Sequence, residues 1–179
     1  ERRPRRTIVV KDTKSYFEDK RVNLASFGKA LGFIAICEGV GLIGSIPTAQ
    51  NIPSWYSEIR KPSFTPPNWL FGPVWTILYM LMGIALYIVS LKEDNPLKRT
   101  ATKLFFIQLA LNLLWSYIFF GLRSPRLGFI EIVTLVAFIA MTIRAVARVS
   151  VIAAVILIPY LAWSMFATVL NFSIWRLNS

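Results

Sequence analysis

The chain has 179 residues, of which 55% are hydrophobic and only 16% are charged. Soluble domains carry about a quarter charged residues, so this composition excludes an ordinary water-soluble fold. The net charge is +11, but eight of the 20 basic residues lie within the first 21 positions. Because basic clusters beside apolar segments meet anionic lipid or set membrane topology, we expect the lipid bilayer and no nucleic acid as partner.

The first part of the chain combines a charged tail with an apolar run. Positions 1–26 are polar and basic, and we predict a flexible cytoplasmic tail there. The apolar run over 27–46 predicts a first membrane span, and Pro47 is expected to end its helix because proline has no backbone N–H to donate. The loop over 47–67 holds five prolines, the last two of which preset the first turn of the next helix.

Four further apolar runs follow. The run over 69–91 has no charged residue and is long enough to cross about 30 Å of hydrocarbon. Ser124 and Pro125 predict an N-cap and a first helical position. Pro159 is expected to kink the last helix and to free the carbonyl of Val155. The sequence therefore predicts an all-α membrane protein, a bundle of five transmembrane helices within 27–176, with spans over 27–46, 69–91, 104–122, 127–143 and 149–175.

The basic residues are divided unequally between the two ends of this bundle. The end that holds the tail and the loops over 92–103 and 144–148 carries 15 of them, and the opposite end carries 5. By the positive-inside rule, the tail is cytoplasmic and the loop over 47–67 faces out, if the membrane is a prokaryotic plasma membrane.

The chain lacks the residues that most catalytic mechanisms require. The chain has no histidine and a single cysteine, Cys37, so we expect no metal site, no disulfide and no histidine-activated nucleophile. The glycines at 39, 41 and 44 fit a dinucleotide-binding pattern, but they lie inside an apolar helix without the required strand. The pattern is therefore discarded.

Aromatic residues are the main chemical signal. Six tryptophans are many for this length, and an interface belt accounts for those near span ends, such as Trp69 and Trp175. Trp75, Trp115 and Trp163 lie deeper, where their N–H groups need partners. Helical spacing groups them with other aromatic and polar residues: Trp75 with Tyr79; Gln108 and Asn112 with Trp115 and Phe119; Tyr160 with Trp163, Ala167 and Asn171. This spacing fits either a ligand pocket or hydrogen-bonded helix packing.

Two carboxylates, Glu38 and Glu131, lie within predicted spans. Ionisable groups in a membrane interior are costly, and they indicate either function or a neutral, hydrogen-bonded acid. A proton-coupled exporter of small molecules would use such a glutamate. Glu131 lies one turn from a helix start, where the helix dipole or the neighbouring Arg123 or Arg126 would stabilise its charge.

Several motifs resemble the translocator protein family, also called tryptophan-rich sensory proteins or peripheral-type benzodiazepine receptors. The longest is Pro-Pro-Asn-Trp-Leu-Phe-Gly-Pro-Val-Trp-Thr-Ile-Leu-Tyr over 66–79, and others are Asn-Leu-Leu-Trp over 112–115 and Tyr-Leu-Ala-Trp over 160–163. The resemblance covers about 27–176. It implies a five-helix bundle, often a homodimer, with a pocket beneath the first loop.

The resemblance also implies ligands and site residues. Porphyrins, haem and sterols are the ligand classes of the family, and no cofactor is required. Trp75 and Trp163 match the pocket tryptophans that bacterial members use in light-dependent porphyrin breakdown. The expected ligand-binding set is Trp55, Trp75, Tyr79, Asn112, Trp115, Tyr160, Trp163, Ala167 and Leu170. The sterol-recognition segment corresponds to Leu170, Phe172 and Arg176, with Phe172 in place of a tyrosine.

These features lead to a functional expectation. The chain is expected to bind porphyrin, haem and other apolar ligands such as sterols, and to transport or regulate tetrapyrroles. Arg60 and Lys61 lie in the loop above the expected pocket and are candidates for binding porphyrin carboxylates. The alternative is an enzyme that degrades porphyrin in light through Trp75 and Trp163. The expected location is a prokaryotic cell membrane, with an organelle membrane as the other choice.

Overall fold

A computed structural model describes the backbone of residues 13–179 and the side chains from Ser26 onward. The described part is entirely helical, with no strand. Positions 1–12 of the predicted tail lie outside the described residues, and its remainder belongs to the first helix. The helices are α1 (Thr13–Asn51), α2 (Trp55–Glu58), α3 (Asn68–Ser90), α4 (Pro96–Ser116) with a π-helical turn (Tyr117–Gly121), α5 (Pro125–Ala147), α6 (Val151–Ile156) and α7 (Ile158–Leu177).

Five segments of the described chain are long and apolar enough to cross a membrane, which confirms the predicted five-helix membrane bundle. They are Ser26–Asn51, Asn68–Ser90, Pro96–Gly121, Pro125–Ala147 and Val151–Leu177. Their boundaries differ from the predicted ones mainly at the charged ends. Because Lys98, Arg99 and Lys103 lie within α4, the predicted loop over 92–103 shortens to the residues before Pro96.

The prediction that Pro47 ends the first span is wrong, because α1 continues through Pro47 to Asn51. A proline inside a helix leaves the carbonyl four residues earlier without its donor, here the carbonyl of Ile43. The hydroxyl of Tyr117 lies 3.4 Å from that oxygen and donates to it. A side chain from the end of α4 thus replaces the missing backbone bond, so the helix does not have to stop.

Two local predictions are confirmed. Ser124 caps α5, since its hydroxyl accepts from the backbone N–H of Leu127 at 3.4 Å, and Pro125 occupies the first helical position. The last span is interrupted as Pro159 predicts, with α6 ending at Ile156 and α7 beginning at Ile158. The break therefore lies at Leu157, two residues before the proline, because proline removes a backbone donor from the helix.

Close helix packing in the half of the bundle away from the 47–67 loop depends on one glycine. A Cβ built on Gly83 of α3 would lie 2.5 Å from the Cα of Ile34 on α1, so only glycine allows this approach. In a lipid bilayer the hydrophobic effect does not hold helices together. Close packing of their backbones at small residues is therefore a main contribution to helix–helix association. Around it, Met82, Phe105 and Leu135 are buried and fill the core. The half of the bundle away from the 47–67 loop is therefore densely packed, whereas the half beneath that loop contains a cavity.

Candidate ligand-binding cavity

A cavity of about 420 Å³ occupies the half of the bundle beneath the loop between α1 and α3. Four of the five spans contribute to its wall, and α2 lies across its outer end. The chemistry of the wall is mostly aromatic and aliphatic, with a few amide and hydroxyl groups. The lining aromatic residues are Tyr56, Trp69, Phe71, Trp75, Tyr79, Trp115, Phe119, Phe120 and Trp163.

The α1 side of the cavity is made mainly of small residues, with Glu38 and Leu42 beside them. Gly41, Gly44, Ser45, Thr48 and Ala49 line it and recur every three or four positions, which places them on one face of the helix. The glycines of this stripe fit only the discarded dinucleotide pattern in the sequence, and this wall was not predicted. The signal was present in the sequence as small residues that recur on one face of the first span.

A buried hydrogen-bond network joins α3, α4 and α7 at the inner end of the cavity. The Tyr79 hydroxyl donates to Oδ1 of Asn112 at 2.5 Å, and Nδ2 of Asn112 donates to the Tyr160 hydroxyl at 2.9 Å. Tyr160 in turn donates to Oε1 of Gln108 at 2.8 Å. Every member is buried, and satisfied networks of this kind fix side-chain positions in a low-dielectric interior. Tyr79 and Asn112 therefore present rigid polar groups to the cavity.

Trp115 is held by a second set of hydrogen bonds. Its indole Nε1 donates to Oδ1 of Asn171 at 3.1 Å, and Nδ2 of Asn171 donates to the carbonyl of Pro125 at 2.7 Å. The Trp115 ring stacks on Phe119 with centroids 5.1 Å apart. These contacts tie α4, α5 and α7 together and fix the orientation of the ring.

The two tryptophans of the family motif have different surroundings. Trp75 packs against Tyr79 and Tyr160, with ring centroids 5.7 Å and 6.3 Å apart. Trp163 packs against Phe71 and Phe166 at 6.1 Å and 5.3 Å. The buried Nε1 of Trp163 has no hydrogen-bond partner among the described residues. An unpartnered N–H without accessible surface is costly to bury, and it does not face the open space of the cavity.

Aromatic residues also close the outer end of the cavity. Tyr56 of α2 is buried and packs on Phe120 at 5.6 Å. The ammonium of Lys61 lies 4.9 Å from the Tyr56 ring centre and donates to the carbonyls of Tyr56 and Ile59 at 2.5 Å and 3.0 Å. Burial raises the pKa of the Tyr56 hydroxyl to about 12. Lys61 therefore holds the short helix in place as a cover.

Seven of the nine predicted ligand-binding residues lie on the cavity wall. They are Trp75, Tyr79, Asn112, Trp115, Trp163, Ala167 and Leu170. Tyr160 lies behind the wall, because its hydroxyl is used by Asn112 and Gln108. Trp55 lies beside the cavity and packs against Phe119 at 5.6 Å.

The residues predicted from charge lie away from the cavity. Lys61 points to backbone carbonyls of its own loop, and Arg60 is exposed while its backbone bonds to Asn178. Phe172 and Arg176 of the expected sterol segment are also exposed, on the outer face of α7. Helical periodicity explains this outcome, because Leu170 faces inward and residues two and six positions later point elsewhere.

The two carboxylates are in different places. Glu38 lies on the cavity wall and is half-buried. Glu131 is buried on α5 outside the wall, and neither of its oxygens has a hydrogen-bond partner among the described residues. The expectation that Arg123 or Arg126 pairs with Glu131 is wrong, since the only ion pair between described side chains joins Arg99 and Asp94.

Comparison with known proteins identifies the family. Residues 33–176 match the TspO/MBR family. The tryptophan-rich protein TspO of Archaeoglobus fulgidus is 45% identical over 154 residues, which cover 84% of this chain and 97% of that protein. A protein of the same name from Chlorobaculum tepidum is 47% identical over 148 residues, covering 81% and 92%.

A eukaryotic relative also matches. The translocator protein of Homo sapiens is 40% identical over 126 residues, covering 69% of this chain and 75% of that protein. With its five apolar spans the chain is an integral, multi-pass membrane protein, and a bacterial or an organelle membrane would suit it. By motif, fold and similarity, the chain belongs to the TspO/MBR family.

Proposed function

We propose that the chain binds porphyrins, haem and other apolar ligands such as sterols in the cavity, and thereby transports or regulates tetrapyrroles. The observation that supports this most strongly is the pairing of a wide aromatic wall with a small-residue wall. A flat macrocycle needs two opposed faces. Trp75 and Trp163 offer indole rings, and the small residues Gly44, Ser45 and Ala49 of α1 line the same cavity.

Size and polarity agree with this class of ligand. Pockets for small molecules span about 300–1,000 Å³ and carry few polar groups on a mostly apolar wall. The cavity has about 420 Å³ and only a few polar lining residues, among them Asn112, Glu38 and Thr48. A porphyrin would keep its ring inside and its carboxylates at the mouth. Because Arg60 and Lys61 lie away from the wall, we infer that these carboxylates remain hydrated.

The test is a titration of the purified full-length protein with protoporphyrin in the dark, followed by tryptophan fluorescence and porphyrin absorbance. Ring contact predicts saturable quenching that weakens when Trp75 or Trp163 is replaced by phenylalanine. Trp175→Phe is the matched control, because Trp175 lies outside the cavity. Quenching that never saturates, or that depends equally on all three tryptophans, would reject the cavity as the binding site.

A light-dependent degradation of porphyrin is the second candidate. It is favoured by the presence of both family tryptophans in the lining of the cavity. A photoexcited bound porphyrin would accept one electron from an adjacent indole, or would transfer its energy to dissolved oxygen, and the singlet oxygen formed would oxidise the porphyrin ring. Trp75→Phe and Trp163→Phe keep most of the apolar area and remove the oxidisable indole. Unchanged binding with much slower loss of porphyrin under light supports this function, and equal loss in the variants and the wild type excludes it.

A further inference from the structure

A second concavity lies at the end of the bundle that carries the 47–67 loop, separate from the ligand cavity. It is open, and its wall contains Trp55, Arg123, Arg126, Trp175 and Asn178. None of these residues lines the ligand cavity. Two guanidinium groups and two indoles therefore share one depression where the helices end and the headgroup region of a bilayer would begin.

Arg123 is placed there by the backbone. It has a φ of 51°, the only positive value for a non-glycine residue in the described chain. Such a conformation is costly for an arginine, and it is kept only where surrounding structure imposes it. Its Nε donates to Oδ1 of Asn51 at 3.0 Å. This is the only hydrogen bond of the Arg123 guanidinium to the described residues, so its two terminal nitrogens have donors to spare.

Arg126 provides a second cation without a counter-charge. It is exposed on the first turn of α5, and its side chain makes no hydrogen bond with any described residue. The only ion pair between described side chains, Arg99 with Asp94, lies at the opposite end of the bundle. Glu58 is the only acidic side chain of the loop above, and it does not line the concavity.

The two indoles define the depth of the site. Trp175 packs on Phe129 and Phe172, with centroids 5.6 Å and 5.9 Å apart, and Trp55 packs on Phe119. Aromatic residues in such positions lie at the level of lipid headgroups. Arginine forks bind phosphate oxygens through paired, charge-assisted hydrogen bonds. The acyl chains of the same molecule would lie along the exposed aromatic face of α7.

We propose that this concavity binds the phosphate of an anionic phospholipid through Arg123 and Arg126, between Trp55 and Trp175. The ligand chemistry is a phosphate ester at the membrane surface. A soluble phosphate would satisfy the guanidinium groups alone, whereas a lipid also uses the aromatic face beside them. These two sources are therefore separable by experiment.

The test measures binding of phosphatidylglycerol to the detergent-purified full-length protein by native mass spectrometry, with phosphatidylcholine and inorganic phosphate in parallel titrations. Arg126→Gln is the main variant. Arg144→Gln is its matched control, because it removes one exposed arginine from the last turn of the same helix. Arg123→Lys keeps the positive charge but removes the paired N–H donors of the guanidinium. A lysine is preferred to a neutral residue because it retains a donor near Oδ1 of Asn51.

We expect saturable binding of phosphatidylglycerol, tighter than that of phosphatidylcholine, and weakened about tenfold by Arg126→Gln. Arg123→Lys should weaken it as well, and Arg144→Gln should leave it unchanged. Equal effects of Arg126→Gln and Arg144→Gln, or no preference for phosphatidylglycerol, would overturn the proposal. Inorganic phosphate that binds as tightly as the lipid would overturn the assignment to a phospholipid.

Discussion

Gly41→Ala is a sharp test of how the small-residue wall shapes the cavity. A Cβ built on Gly41 would lie 2.5 Å from both Cδ2 and Cε2 of Tyr79. These atoms belong to a ring whose hydroxyl is held by Asn112. The ring cannot move away without stretching that hydrogen bond, so the substitution must disturb the network at the inner end of the cavity.

Two opposing effects decide the size of the change. Alanine favours a helix over glycine by about 1 kcal/mol. Overpacking in a core costs about 1–3 kcal/mol, and loss of a buried hydrogen bond adds about 1–3 kcal/mol. We therefore expect a net destabilisation of about 1–5 kcal/mol and weaker porphyrin binding. Gly39→Ala is the matched control on the same helix, because no atom lies within 4 Å of its added Cβ.

The assay is the thermal midpoint of the purified protein in detergent, together with the dark titration of protoporphyrin. Tyr79→Leu provides a second background, in which the clash with Gly41→Ala should largely disappear and the two effects should not add. Equal midpoints for Gly41→Ala and Gly39→Ala would refute the reasoning. So would full additivity with Tyr79→Leu.

Three further predictions concern the cavity wall, its cover and the topology. Ala167→Thr should weaken porphyrin binding about tenfold without loss of assembly, measured by titration and size-exclusion chromatography, because Ala167 lines the cavity and is buried. Burial raises the pKa of the Tyr56 hydroxyl to about 12, so the neutral hydroxyl contributes to stability below pH 10. That contribution, at most about 3 kcal/mol, is lost as the pH rises towards 12, and the thermal midpoint should fall over this range. In Tyr56→Phe this fall should be smaller. In a Cys37→Ala background, an impermeant thiol reagent on intact cells should label Ser54→Cys and not Ser90→Cys, and the reverse pattern would invert the predicted orientation.

The fold could be predicted from the sequence because each span is a long apolar run with clear breaks. The errors fall where a tertiary contact outweighs a local rule. By local rules a proline ends a helix, but here the Tyr117 hydroxyl replaces the hydrogen bond that Pro47 removes. Tyr117 lies 70 residues after Pro47, so no local sequence pattern could predict this donor. Basic residues mark the ends of spans only approximately, since a helix such as α4 can begin in the headgroup region with its charges in water.

The aromatic part of the site could also be predicted, because helical spacing places Trp75 with Tyr79 and Asn112 with Trp115 on single faces. The roles of Arg60 and Lys61 could not. Their position in the sequence places them near the cavity but does not predict where their side chains point. The Lys61 side chain points towards backbone carbonyls of its own loop. The small-residue wall of α1 was missed because glycine carries no chemistry of its own, and its value appears only when the opposite helix is known.

The fastening of α1 beyond Pro47 has a mechanical consequence. Helix segments on either side of a proline can pivot, but α1 is held on both sides of Pro47. Ile43, one turn before the proline, accepts from Tyr117, and Asn51 in the final turn accepts from Arg123, just after the π-helical turn of α4. That turn carries Thr48 and Ala49 of the cavity wall. We therefore expect the final turn of α1 to move together with the end of α4. Any widening that admits a ligand is then expected to involve α3, α7 or the loop over 47–67, which line the rest of the cavity.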